Sequence, residues 1–95
     1  MGAISRSIEN NNKVKQISYL LKYGDFLIKT SLYDLLRDIS RKVLRLCESI
    51  RETTNIEKEY ASANYLYATY LQIGNGDMEA EPYFEEAFRI RARLA

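Results

Sequence analysis

The 95-residue sequence has no histidine, one cysteine, one proline and four glycines. Without histidine there is no imidazole base, no Ser/His or Cys/His nucleophile pair and no His-ligated metal. A lone cysteine can form neither an internal disulfide nor a Cys-rich zinc site, and it suits a reducing compartment. Cys47 follows Leu44-Arg45-Leu46 on an apolar helical face, so it reads as a small buried hydrophobe and not a reactive thiol. So little proline and glycine favours long helices over strands and turns. No apolar run approaches the roughly 20 residues needed to cross a bilayer, and no charged-then-apolar leader precedes a cleavage site. Neither sign of charge dominates: 14 basic against 13 acidic residues leave +1, which argues against nucleic acid as the partner. These absences remove much of the enzyme menu, and the expectation is an all-α, cytoplasmic domain that is not an enzyme and takes no cofactor, metal or membrane partner. Its length limits its core, so long packed helices, a partner or neighbouring sequence are expected to compensate.

The apolar pattern divides the chain. Ile4 and Ile8 precede Asn10-Asn11-Asn12, which predicts a helix over about 2–10 ending in a polar turn. From Lys13 to Arg51 one apolar track runs through Ile17, Leu21, Gly24, Ile28, Leu32, Leu35, Ile39, Val43, Leu46 and Ile50. Its steps of three and four predict a single helix over 13–51, about 55 Å long at 1.5 Å per residue. An elongated domain follows, with a bend at Gly24 as the alternative. The opposite face, with Lys15, Lys22, Asp25, Lys29, Arg37, Arg41, Arg45 and Glu48, reads as solvated.

Thr53, Thr54 and Asn55 offer helix caps, and Thr54 with Glu57 has capping-box spacing. A helix over 56–73 then ends at Gly74-Asn75-Gly76-Asp77, which reads as a turn with Asp77 capping a last helix over 78–94. Pro82 is placed near the first turn of that helix, where a missing N–H is tolerated. Its acids come early and Arg89, Arg91 and Arg93 late, as the helix dipole favours. The adjacent Glu85 and Glu86 diverge on a helix and make a poor acid/base dyad. Eight tyrosines are the unusual feature. Tyr60, Tyr67 and Tyr70 share one face, either packed on the long helix or lining a recognition groove.

Several stretches, in order, resemble the middle of the 14-3-3 proteins, all-helical dimeric adaptors that bind phosphoserine and phosphothreonine peptides. Ser5-Arg6-Ser7-Ile8-Glu9-Asn10 is similar to the Ser-Ser-Ile-Glu-Gln closing that family's third helix. The stretch from Leu36 to Ser49 resembles the Leu-x-x-Ile-x-x-x-Ile-Leu-x-Leu-Leu-Asp-Ser of the fourth. Thr69-Tyr70-Leu71 lies where the fifth helix has Arg-Tyr-Leu, and Tyr83-Phe84-Glu85-Glu86-Ala87-Phe88-Arg89-Ile90 is similar to the sixth. The resemblance implies a protein-interaction adaptor of antiparallel helices, a piece of a larger helical domain, with phosphorylated peptides as partners and a homo-oligomer allowed. It carries over only Tyr70 from the family's phosphate-holding set of a Lys, two Arg and a Tyr. Thr69 stands where an arginine is needed, and a neutral hydroxyl cannot replace a bidentate guanidinium. Tyr70, Thr69 and Tyr67 are therefore the candidate peptide-binding residues.

A second resemblance is to tetratricopeptide repeats, through the placing of Ala68, Gly74, Ala80, Phe84 and Ala87, which implies a phosphate-independent peptide-binding module. A third reading is a structural subunit that pairs with another helix through the stripe around Leu32, Leu35 and Ile39.

Overall fold

In the computed structural model, described for the backbone of residues 2–74 and 76–95 and the side chains of 8–74 and 76–95, the chain is all-helical. Four helices follow one another: α1 (Gly2–Lys29), α2 (Tyr33–Ile50), α3 (Glu57–Gly74) and α4 (Asp77–Leu94). No strand occurs among the described residues. Asn75, part of the expected turn, lies outside them.

The long helix expected over 13–51 is two helices, and the helix expected to stop at residue 10 runs on to Lys29. The break falls at Thr30–Leu32 and not at Gly24. The Leu32 amide donates to the Leu27 carbonyl (3.0 Å) and the Ser31 amide to Ile28 (3.2 Å). Ser31 takes φ of 61° between them. That pair of bonds around one left-handed residue is the Schellman ending, usually built on Gly or Asn. The Thr30 hydroxyl adds a bond to the Phe26 carbonyl (2.9 Å). An unbroken 13–51 helix would also exceed the longest dimension of the molecule, which measures 46 × 28 × 19 Å.

At the other correction, the Asn10 amide does not turn the chain. It donates outward to the hydroxyls of Thr53 (3.1 Å) and Thr54 (3.0 Å) in the connector between α2 and α3. Helix α1 therefore continues, since an Asn whose side chain is bonded elsewhere no longer competes for its own backbone. With Thr54 engaged by Asn10 and the Glu57 carboxylate bonded to Arg51 and Arg93, the capping-box residues have other partners. Asp77 is the first residue of α4 and not its cap, which is Gly76 at φ of 97°. Asp77 instead accepts from Gln72 Nε2 (2.9 Å). Pro82 is the sixth residue of α4, just past its first turn.

Contacts at their two ends lay α2 back along α1 and α4 back along α3. Asn10 meets Thr53 while Lys13 meets Ser49; Gln72 meets Asp77 while Glu57 meets Arg93. The main core joins Ile17 and Leu27 of α1 to Leu36, Val43, Cys47 and Ile50 of α2, with Ile56 just ahead of α3 and Leu66 within it. A second cluster, Ala68, Leu71 and Ala80, joins α3 to α4. Because the break resets the helical phase, Leu32 and Leu35 leave the buried track and are each 45% exposed. Gly24 is where α1 and α3 come close: a Cβ there would overlap the Leu66 side chain. Among the described residues, no helix is long and apolar enough to cross a membrane.

Candidate functional site

The tyrosine face of α3 is half-buried and organised around Tyr67. Its ring stacks on Tyr70 at 6.1 Å between centroids and meets Tyr83 of α4 edge-on at 4.8 Å. Both arrangements suit the ring quadrupole. Tyr60, a turn or more away, lies under the Arg51 guanidinium at 4.2 Å. Burial is the first cause raising the Tyr83 phenol above its ordinary pKa, with Tyr67, Glu48 and Tyr60 adding to it and Arg41 opposing. The tyrosines thus serve as packing between α2, α3 and α4 as well as bordering the surface.

Of the three candidate residues, Tyr67 and Tyr70 are brought together and Thr69 is not. Thr69 lies off that face and its hydroxyl donates to the Tyr65 carbonyl (2.9 Å). This follows from the helical turn, which puts residues three apart together and neighbours apart.

The cation beside these phenols is Arg41 of α2. Contact with Tyr67 is the main cause raising its pKa, with Tyr70 and Asp38 adding, so the guanidinium is charged throughout. Arg41 also lines a groove of about 680 Å³ between α1 and α2, with Lys13, Asp38, Lys42, Arg45, Leu46 and Ser49. Four of these are cations. Asp38 is engaged by Arg37 at 3.3 Å, and among the described residues no carboxylate forms an ion pair with Arg41, Lys42 or Arg45. On one wall Lys13 Nζ reaches Ser49 Oγ (3.5 Å), whose own hydroxyl donates to the Leu46 carbonyl (2.7 Å). Unpaired cations crowded in a concavity, with phenols at one edge, favour an anionic ligand such as a carboxylate or phosphate.

From the sequence, Arg41 and Arg45 read as part of a solvated face, and Arg89, Arg91 and Arg93 as complements to the dipole of the last helix. Those arginines are engaged within the chain: Arg89 pairs with Glu86, Arg93 with Glu57 (2.7 Å), and Arg91 sits 5.3 Å over the Tyr65 ring. The signal available for the groove was Asp38, Arg41, Lys42, Arg45 and Ser49 on one stripe of α2.

Cys47 is fully buried, and burial, with Glu59 and Glu48 nearby, pushes its pKa up to about 12. Its thiolate, the reactive form, is therefore suppressed. The described residues contain no group of His, Cys, Asp or Glu side chains arranged to hold a metal ion. Set against family models, curated proteins and solved structures, the chain matches none.

Proposed function

We propose that this chain is a protein-interaction module, a non-enzymatic adaptor of the 14-3-3-like helical type that holds an acidic or phosphorylated peptide in the α1–α2 groove. The observation that carries the reading is the unpaired cation set Arg41, Lys42 and Arg45, with Lys13 opposite. Arg41 interacts with Tyr67 and, through its charge, with Tyr70, so a guanidinium serves the phenols from α2 even though Thr69 supplies none from α3. A phosphate can take two parallel bonds from Arg41, whereas Lys13 and Lys42 act as point charges. The cytoplasm fits this role, because phosphorylated partners occur there and the unpaired Cys47 thiol stays reduced.

The test is titration of the full chain with a serine peptide rich in acidic residues and with its phosphorylated form. The phosphorylated peptide is expected to bind more tightly, and Arg41→Gln to remove about tenfold of that affinity, the scale of one charge-assisted bond. Equal affinity for both peptides, or indifference to Arg41→Gln, overturns the reading. Arg41 is exposed, so its replacement leaves the core intact.

A further inference from the structure

The outer faces of α1 and α4 carry the same spacing with opposite charge. On α1, Lys15, Tyr19, Lys22, Tyr23 and Phe26 follow one another at intervals of four, three, one and three; on α4, Asp77, Glu81, Phe84, Glu85 and Phe88 repeat those intervals. Such spacing places each set on a single stripe of its helix, about 16 Å long. Each stripe borders a shallow groove, about 340 Å³ on α1 and about 280 Å³ on α4. Most of the aromatic rings are left in solvent, Tyr19 at 78% exposed, Phe26 at 55% and Phe88 at 56%, while Phe84 is half-buried against Ala68, Leu71 and Ala80. They are already ordered in pairs, Tyr23 with Phe26 at 6.4 Å and Phe84 with Phe88 at 6.2 Å. Within one chain the two stripes lie on helices that do not pack backbone to backbone: α1 packs on α2 and α3, and α4 on α3.

We propose that the α1 stripe of one molecule docks on the α4 stripe of a second copy, Lys15 and Lys22 facing Asp77, Glu81 and Glu85 around interleaved aromatic rings. Charge complementarity selects this occupant: the basic-aromatic and acidic-aromatic faces match in length and spacing and differ in sign. A net charge of +1 leaves little repulsion between copies. Since the two surfaces differ, the contact is head-to-tail. It repeats from copy to copy, closing into a ring or extending as a filament. A three-turn face is at the small end for a specific interface, so the contact is weak and salt-sensitive. It leaves the α1–α2 groove free.

Sedimentation equilibrium of the full chain over a rising concentration series tests this. The weight-average mass is expected to climb continuously past that of a dimer and to fall back in high salt. Phe26→Asp and Phe88→Asp each disable one face at an exposed position, and circular dichroism checks that both variants stay helical. Each alone is expected to sediment as a monomer, while their mixture forms a one-to-one dimer through the two intact faces. A wild-type mass independent of concentration overturns the proposal. So does association that survives both substitutions, or a mixture that stays monomeric. Glu81→Lys with Glu85→Lys is the second means of disabling α4, and continued association of that variant also overturns it.

Discussion

Single residues set the closest approaches in this molecule. A glycine inside a helix ordinarily costs about 1 kcal/mol relative to alanine, so Gly24→Ala inside α1 looks stabilising from sequence. In the structure the added methyl would fall on both Leu66 Cδ atoms, and Leu66 is 3% exposed and held in the core. Overpacking of this kind costs about 1–3 kcal/mol, which outweighs the helix gain. Gly24→Ala is therefore expected to destabilise the fold, whereas Leu66→Ala alone loses about 2–4 kcal/mol to a cavity. In the Leu66→Ala background the same Gly24→Ala substitution should turn stabilising, because the methyl now enters vacated space. Urea unfolding of the four proteins measures this sign change; a Gly24→Ala effect of one sign in both backgrounds refutes it. The buried polar residues are settled locally: Ser40 donates to the Arg37 carbonyl (3.1 Å) and the Asn64 amide to Tyr60 (2.9 Å).

At the scale of the helices, one residue in an unusual conformation decides the arrangement. Ser31 sits at φ of 61°, where a Cβ crowds the following carbonyl at a cost of about 1–2 kcal/mol. Glycine escapes that cost but loses more entropy on folding. Ser31→Gly is expected to stabilise the chain by about 0.5–1 kcal/mol, read as a higher urea midpoint with unchanged slope. A lower midpoint would mean that the serine hydroxyl, which accepts from Tyr33 Oη (3.3 Å), contributes more than the strain removes. The same residue explains what was legible in advance. Helices α3 and α4 were readable to within one residue, since Gly74 and Gly76 punctuate the chain between them. The α1–α2 break was not, because Ser at the left-handed position leaves no compositional mark and the apolar track runs on through Leu32 and Leu35. The error propagates to the candidate site. On an unbroken helix Lys13 and Ser49 would stand about 54 Å apart, yet they are in contact at 3.5 Å. A groove made by folding α2 back on α1 was thus hidden with the break, while Tyr67 and Tyr70, three apart within α3, were readable as one face.

Over the whole molecule, charge ties the start of α3 to the ends of its neighbours. The Glu57 carboxylate accepts from Arg51 Nε, just past α2, at 3.1 Å and from Arg93 Nη2, in the last turn of α4, at 2.7 Å. Glu86 extends the network to Arg51 (4.0 Å) and Arg89. Arg51 is the leading cause holding the Glu57 carboxyl below its ordinary value, with Arg93 and Arg89 assisting. A carboxyl whose pKa is lowered by folding stabilises the native state above its unfolded value and loses that contribution as pH falls through the folded value. Part-exposed pairs of this kind contribute up to about 1 kcal/mol each. Glu57→Gln is therefore expected to cost about 1–2 kcal/mol near pH 7, since it removes the shared partner of two arginines. The difference should shrink as the pH falls from 7 into the acid range, through the lowered folded-state value of the Glu57 carboxyl, below which the wild-type side chain is itself neutral. Urea unfolding of both proteins across that pH range checks it, and raised salt at pH 7 should narrow the gap in the same direction. A gap that stays constant from neutral to acid pH would assign the role of Glu57 to packing and not to its charge.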